Sequence, residues 1–205
     1  MYICIKKISY FILYYYKMNN IILIGDSCGV SWLLDSCNIS RETGLFEWCR
    51  SDFFKDIIYT INNIDNIDVD YYKLPGNVCI KGTDIHTSHY SLQQFNEKIK
   101  RRVQRFNDIV KSNIEIIFIR RNEYYNLVTL QNVEDFDKAV KKINPECNYK
   151  LLLLNTEGEK IIHPNIIHKF IKINSMEQPK ESQKNSEDID LWKNIFSELG
   201  IQLNL

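Results

Sequence analysis

Three short runs, Ile21–Ile24, Ile114–Ile119 and Leu151–Leu154, are dominated by apolar and β-branched residues, and longer amphipathic stretches separate them. Runs of four to six such residues suit buried strands, whereas apolar residues returning every three or four positions mark helices packed on one side. Between the runs, Phe53, Phe54, Ile57, Ile58 and Ile61 predict a helix over Ser51–Asn62, with Ser51 or Asp52 as cap. Phe95, Ile99, Val103, Phe106 and Val110 form the clearest apolar stripe, on a long helix from Ser91 to Ser112. A further helix is predicted over Val133–Ile143 and a short strand over Val78–Ile80. Strand and helix therefore alternate, which argues for an α/β fold with a mostly parallel sheet flanked by helices in three layers. In such sheets ligands gather at the carboxyl ends of the strands.

The 205 residues suffice for a single domain with a sizeable core. Residues 18–173 are read as that domain, 174–188 as a polar linker, and 189–205 as a terminal helix docking through Ile189, Trp192, Ile195, Phe196 and Leu199. Residues 1–17 carry a nine-residue apolar run, Ile8–Tyr16, too short to cross a bilayer and without a cleavage site; they are read as an upstream extension before Met18 or a short apolar leader. Lys+Arg and Asp+Glu both number 26, so no overall field attracts nucleic acid or anionic membrane, and a general polyanion binder is excluded. An abundance of Ile, Asn and Tyr beside only 7 Gly and 4 Pro reads as an AT-rich genome, viral, parasitic or bacterial. The six cysteines show no CxxC and no zinc-ligand spacing, so free thiols, no metal, no cofactor and a cytoplasmic location (the host cytoplasm for a virus) are expected.

The turn Gly25-Asp26-Ser27-Cys28-Gly29 follows the first strand and precedes a helix beginning near Val30. A thiol there meets unsatisfied main-chain N–H groups and the positive end of a helix dipole, both of which favour the thiolate. The turn lacks GxGxxG and GK[ST], which sets it apart from dinucleotide and P-loop sites. His86 and His89 lie in one polar segment before the long helix, and either can supply a base, with Asp84 or Asp26 as the orienting carboxylate. His163 and His168 are weaker alternatives. Arg102 and Arg105 flank the apolar stripe of the long helix and can pair with buried carboxylates or bind an anion, while Arg120 and Arg121 follow the Ile114–Ile119 run, at the carboxyl end where a substrate anion can be met.

The order of motifs resembles a family of uncharacterised bacterial and viral proteins assigned as papain-like cysteine peptidases. The elements are Gly25-Asp26-Ser27-Cys28, Phe46-Glu47-Trp48, the His86–Tyr90 segment, Arg101-Arg102-Val103-Gln104-Arg105-Phe106, Phe118-Ile119-Arg120 and Trp192, spread over residues 20–200. The resemblance implies a catalytic Cys, carried onto Cys28, and a catalytic His, carried onto His86 or His89. Two motifs depart from the family, which has His-Asp-Phe and Phe-Asp-Trp where this chain has His86-Thr87-Ser88-His89-Tyr90 and Phe46-Glu47-Trp48. A papain-like fold would set the nucleophile on a helix against an antiparallel sheet, whereas the periodicity here favours a parallel one. Ile24-Gly25-Asp26-Ser27 also resembles the first block of SGNH/GDSL esterases, which would make Ser27 the nucleophile. That family's late Asp-x-x-His is missing, because neither His163 nor His168 has an Asp three residues before it. Together these residues are expected to make a cysteine-dependent hydrolase on an α/β domain of flavodoxin-like or SGNH-like type, acting on a peptide or small acyl or anionic substrate. Its alternatives are a serine esterase using Ser27 and a non-catalytic module in which Arg102, Arg105 and Arg120 bind an anionic partner.

Overall fold

The computed structural model describes residues 20–25, 30–31, 34–35, 43–122, 127–155, 158–170 and 186–199. Its strands are β1 (Ile21–Leu23), β2 (Val69–Tyr71), β3 (Val78–Ile80), β4 (His86–Thr87), β5 (Ile116–Asn122), β6 (Tyr149–Asn155) and β7 (Ile166–Phe170). Its helices are α1 (Phe54–Asn62), α2 (Leu92–Val110), α3 (Leu130–Ile143) and α4 (Ser186–Glu198). β1, β5, β6 and β7 form one sheet in that order, and every neighbouring pair is parallel. The expected α/β fold is therefore present, with helices on both faces of the sheet.

Alternation along the strands divides the core. Ile22, Ile24, Ile116, Phe118, Leu151 and Leu153 face α1, α2 and α3, while Ile21, Leu23, Ile117, Ile119, Leu152 and Leu154 face Val30, Leu34, Ile195 and Phe196. Both sides are apolar because a parallel strand covered on two faces exposes neither. At the centre of the first face, the Phe118 ring lies 5.1 Å from Phe136, 5.6 Å from Tyr149 and 6.3 Å from Phe106. Each fully buried ring of this kind contributes roughly 1.5–3 kcal/mol through removal from water. On α2 the fully buried side includes Arg102, whereas Val103 of the predicted stripe is only half-buried.

Capping explains two helix starts. Ser91 and Gln94 close a reciprocal capping box on α2, and Thr129 and Asn132 close one on α3. The predicted start of α1 needs correction, since its N-cap is Phe53, with no side-chain cap; Ser51 Oγ instead donates to the Phe53 carbonyl at 3.3 Å. α3 begins at Leu130 rather than Val133, and residues 186–188 belong to α4 rather than to a linker.

Periodicity failed to reveal a second, antiparallel sheet, β2-β3-β4, whose Val78 and Ile80, with Ile85, join the core beneath the α2 side. It also missed β7. That edge strand carries His168, whose Nδ1 accepts the Ile161 main-chain N–H at 3.0 Å and so ties the preceding loop to the sheet. Burial, and next the Lys160 charge, hold this imidazole below the ordinary histidine range. The unfolded chain then takes up a proton that the folded one refuses. The stabilisation is present above the unfolded-state pKa of about 6.5 and is lost as pH falls from there toward the depressed folded value. Replacing His168→Gln, which keeps an acceptor but cannot titrate, is expected to flatten the loss of stability between pH 7 and pH 5 in urea unfolding; an unchanged slope would contradict this.

Candidate active site at the carboxyl edge of the sheet

The first strand ends in a residue that has to be glycine. The Ile24 N–H still bonds the Ile119 carbonyl at 2.9 Å, and Gly25 then turns at φ 73°. A Cβ on Gly25 would stand 2.9 Å from Ser51 Cβ and 3.1 Å from Arg120 Nη1, so both the backbone conformation and the close approach exclude a side chain. Asp26, Ser27, Cys28 and Gly29 lie outside the described residues; Val30 and Ser31, which follow, are helical and buried.

β5 runs on to Asn122, three residues past its predicted end, and this places Arg120 within the strand rather than after it. Alternation sends its side chain to the same face as Phe118, where it is 1% exposed. Nη1 donates to the Ile24 carbonyl at 3.1 Å, and Nη2 donates to the carbonyls of Ser51 at 2.9 Å and Asp52 at 3.4 Å. The guanidinium also lies over the Phe54 ring, 5.7 Å from its centroid. One planar cation thus joins the end of β1, the strand β5 and the chain entering α1. The planar fork of arginine, with donors on two terminal nitrogens, is suited to this; a lysine ammonium is not.

The next link carries a histidine. Arg50 and His86 exchange main-chain hydrogen bonds, Arg50 N–H to the His86 carbonyl at 2.7 Å and His86 N–H to the Arg50 carbonyl at 3.0 Å. His86 therefore pairs beside the Ser51–Asp52 segment that Arg120 holds. Its Nδ1 lies 2.8 Å from the Asp84 carbonyl, an acceptor only, so Nδ1 carries the proton and Nε2 is the basic nitrogen of the neutral ring. Tyr72 stacks on the ring at 4.1 Å and 6°. Asp84 orients His86 through its main chain, while its carboxylate accepts the Tyr72 hydroxyl and lies 3.6 Å from Lys73 Nζ. Burial first, and then this bond to Asp84, raise the Tyr72 hydroxyl above its ordinary range. His89 differs in kind: it is exposed, and its ring stands edge-on to Trp48 at 5.7 Å.

Arg102 and Arg105 brace a different element. Arg102 Nη1 donates to the Glu47 carbonyl at 2.9 Å and Nη2 to the Tyr90 hydroxyl at 3.4 Å, and Arg105 Nη1 donates to the Thr43 carbonyl at 2.6 Å. Arg102 thus meets the main chain of Glu47, not a carboxylate. The Glu47 side chain, itself buried, accepts the Gly44 N–H at 3.0 Å and closes the turn from within. Trp48 ends this turn at φ 62°, a conformation that costs a bulky residue on the order of 1–3 kcal/mol and persists only where the surroundings enforce it. Nothing in the sequence marked that strain, because tryptophan is no turn former. Tyr72 was likewise invisible, since it belongs to no chemical motif, and Ser51 was legible only as a candidate helix cap. His163 Nδ1 accepts the Asn165 N–H at 3.2 Å, a local loop bond.

Among the described residues no group of three or more His, Cys, Asp and Glu side chains could hold a metal, and no helix is long and apolar enough to cross a membrane. No family model, curated protein or solved structure matches the chain. Removing the clamp should be costly. Arg120→Met would strip the carbonyls of Ile24, Ser51 and Asp52 of this donor, the first two on fully buried residues, and is expected to destabilise the fold by at least about 3 kcal/mol in denaturant unfolding. Arg120→Lys should recover only part of that, and a loss below about 1 kcal/mol for Arg120→Met would show that the clamp carries little.

Proposed function

We propose that the chain is a cysteine-dependent acyl hydrolase or acyltransferase in which Cys28 is the nucleophile and His86, rather than His89, is the base. The observation that carries this reading is the Arg120 clamp. It bonds Ile24, four residues before Cys28 in the sequence, to the segment that pairs with His86. His86 also has the attributes of a general base. Its tautomer is set by the Asp84 carbonyl, its ring is fixed against Tyr72, and Nε2 is the nitrogen left to accept a proton. The resemblance of Gly25-Asp26-Ser27-Cys28 and the His86–Tyr90 segment to the cysteine peptidase family supports the same pair.

In this reading Nε2 of His86 takes the Cys28 thiol proton as sulfur attacks the substrate carbonyl carbon. The negative charge that develops on the carbonyl oxygen meets main-chain N–H groups of the turn. The tetrahedral species collapses, the C–N or C–O bond to the leaving group breaks, and the departing amine or alcohol takes the proton from His86. Water then attacks the thioester with His86 again as base, releasing the acid and restoring the thiol. Asp26 is the remaining candidate for a charged partner to the imidazolium.

Arg102 fits an enzyme's framework better than an anion-binding module, since its guanidinium bonds the Glu47 carbonyl and the Tyr90 hydroxyl.

Alkylation by iodoacetamide at pH 7, with peptide mapping to read each of the six cysteines separately, tests the proposal. Burial pushes the Cys147 thiol up to about 11 and raises that of Cys79, and Cys49 is buried, so these three should react slowly. Cys28 is expected to be modified first, and Cys28→Ser to abolish turnover of an activated ester such as p-nitrophenyl acetate. An inert Cys28 would overturn the reading, and fluorophosphonate labelling of Ser27 would transfer the role to the serine.

A further inference from the structure

The small sheet ends in β2, and the arrangement of hydrogen bonds shows which way its main-chain groups point. The Lys81 N–H bonds the Asp68 carbonyl at 2.9 Å and the Tyr72 N–H bonds the Asn77 carbonyl at 3.0 Å, so Asp68, Asp70 and Tyr72 turn their main-chain groups toward β3. Val69 and Tyr71, between them, direct theirs away from β3, along the outer edge. Among the described residues no strand pairs with that edge. Such an edge is a template for another chain, and here Tyr71, 72% exposed, and Leu74, half exposed, add apolar surface beside it.

Both outward N–H groups nevertheless have acceptors. The Val69 N–H donates to Oδ1 of Asp68 at 2.9 Å, and the Tyr71 N–H donates to Oδ1 of Asp70 at 2.8 Å. Each aspartate caps the amide that follows it. Asp68 is further placed by Lys81, whose Nζ lies 3.5 Å from its other oxygen. We propose that Asp68 and Asp70 hold the β2 edge closed to strand addition, and that without these two acceptors the edge pairs antiparallel with β2 of a second copy of the chain. In that pairing Val69 faces the second copy's Tyr71, and Tyr71 its Val69, each pair exchanging two main-chain hydrogen bonds, with Asp70 opposite its own counterpart at the centre.

Capping and charge repulsion make different predictions for different substitutions, because like charges opposed across strands also resist pairing. The double variant Asp68→Ala, Asp70→Ala removes caps and charges together. Its mass in sedimentation equilibrium is expected to double relative to the wild type at the same concentration, with slowed hydrogen exchange at the Val69 and Tyr71 amides. The double variant Asp68→Asn, Asp70→Asn removes the charges but leaves an amide oxygen as acceptor, and is expected to keep the wild-type mass. Adding Val69→Pro to the alanine variant deletes one outward donor at an edge position that tolerates proline, and should restore the wild-type mass. The proposal is overturned if the alanine variant keeps the wild-type mass, if the asparagine variant associates as strongly as the alanine one, or if the proline leaves association intact.

Discussion

A single guanidinium, that of Arg120, holds the carboxyl edge of this protein together. Buried charge is costly, and this one is compensated in part by donation to the carbonyl oxygens of Ile24, Ser51 and Asp52. The dependence runs both ways. Gly25 can approach Ser51 and the guanidinium only because it has no side chain, and the segment that Arg120 seizes is the one that pairs with His86. The end of the first strand, the start of α1 and the histidine strand therefore share one polar joint set into an apolar interior.

A second arginine system does comparable work at the turn 43–49. Arg102 and Arg105 on α2 reach its carbonyls, the buried Glu47 carboxylate closes it from within, and Trp48 is held in a left-handed conformation. Because Arg50 follows two residues later and pairs with His86, the position of the histidine segment is set from both sides, by Arg120 through Ser51 and by the braced turn through Arg50. Long helices and central strands give the fold its stability, but these short polar joints decide which loops meet at its edge.

The sequence made the large elements readable because their burial is periodic. The stripe of α2 and the runs that became β1, β5 and β6 declare themselves at spacings of three to four or as continuous apolar segments, and the α/β class follows from their alternation. β2 and β4 did not declare themselves, being three and two residues long and rich in polar groups; they exist because β3 and the core give them something to pair with. Arg120 was singled out from the sequence, but as an anion ligand beyond a strand. Two adjacent arginines look like the end of a buried strand, and only the pairing of Arg120 and Arg121 with Leu153 and Leu154 of β6 carries the strand past them. For His86 and His89 the sequence left two equivalent candidates, and only tertiary contacts separate a ring fixed by Asp84 and Tyr72 from one at the surface.

In the proposed function, the edge assembled by Arg120 couples His86 to the thiol of Cys28. The rate of Cys28 alkylation as a function of pH, compared among the wild type, His86→Gln and His89→Gln, tests it most directly. His86→Gln is expected to lower the rate at neutral pH and to move the rise in reactivity toward the range of an ordinary free thiol, while His89→Gln leaves the profile in place. A profile that is the same in all three proteins would contradict it.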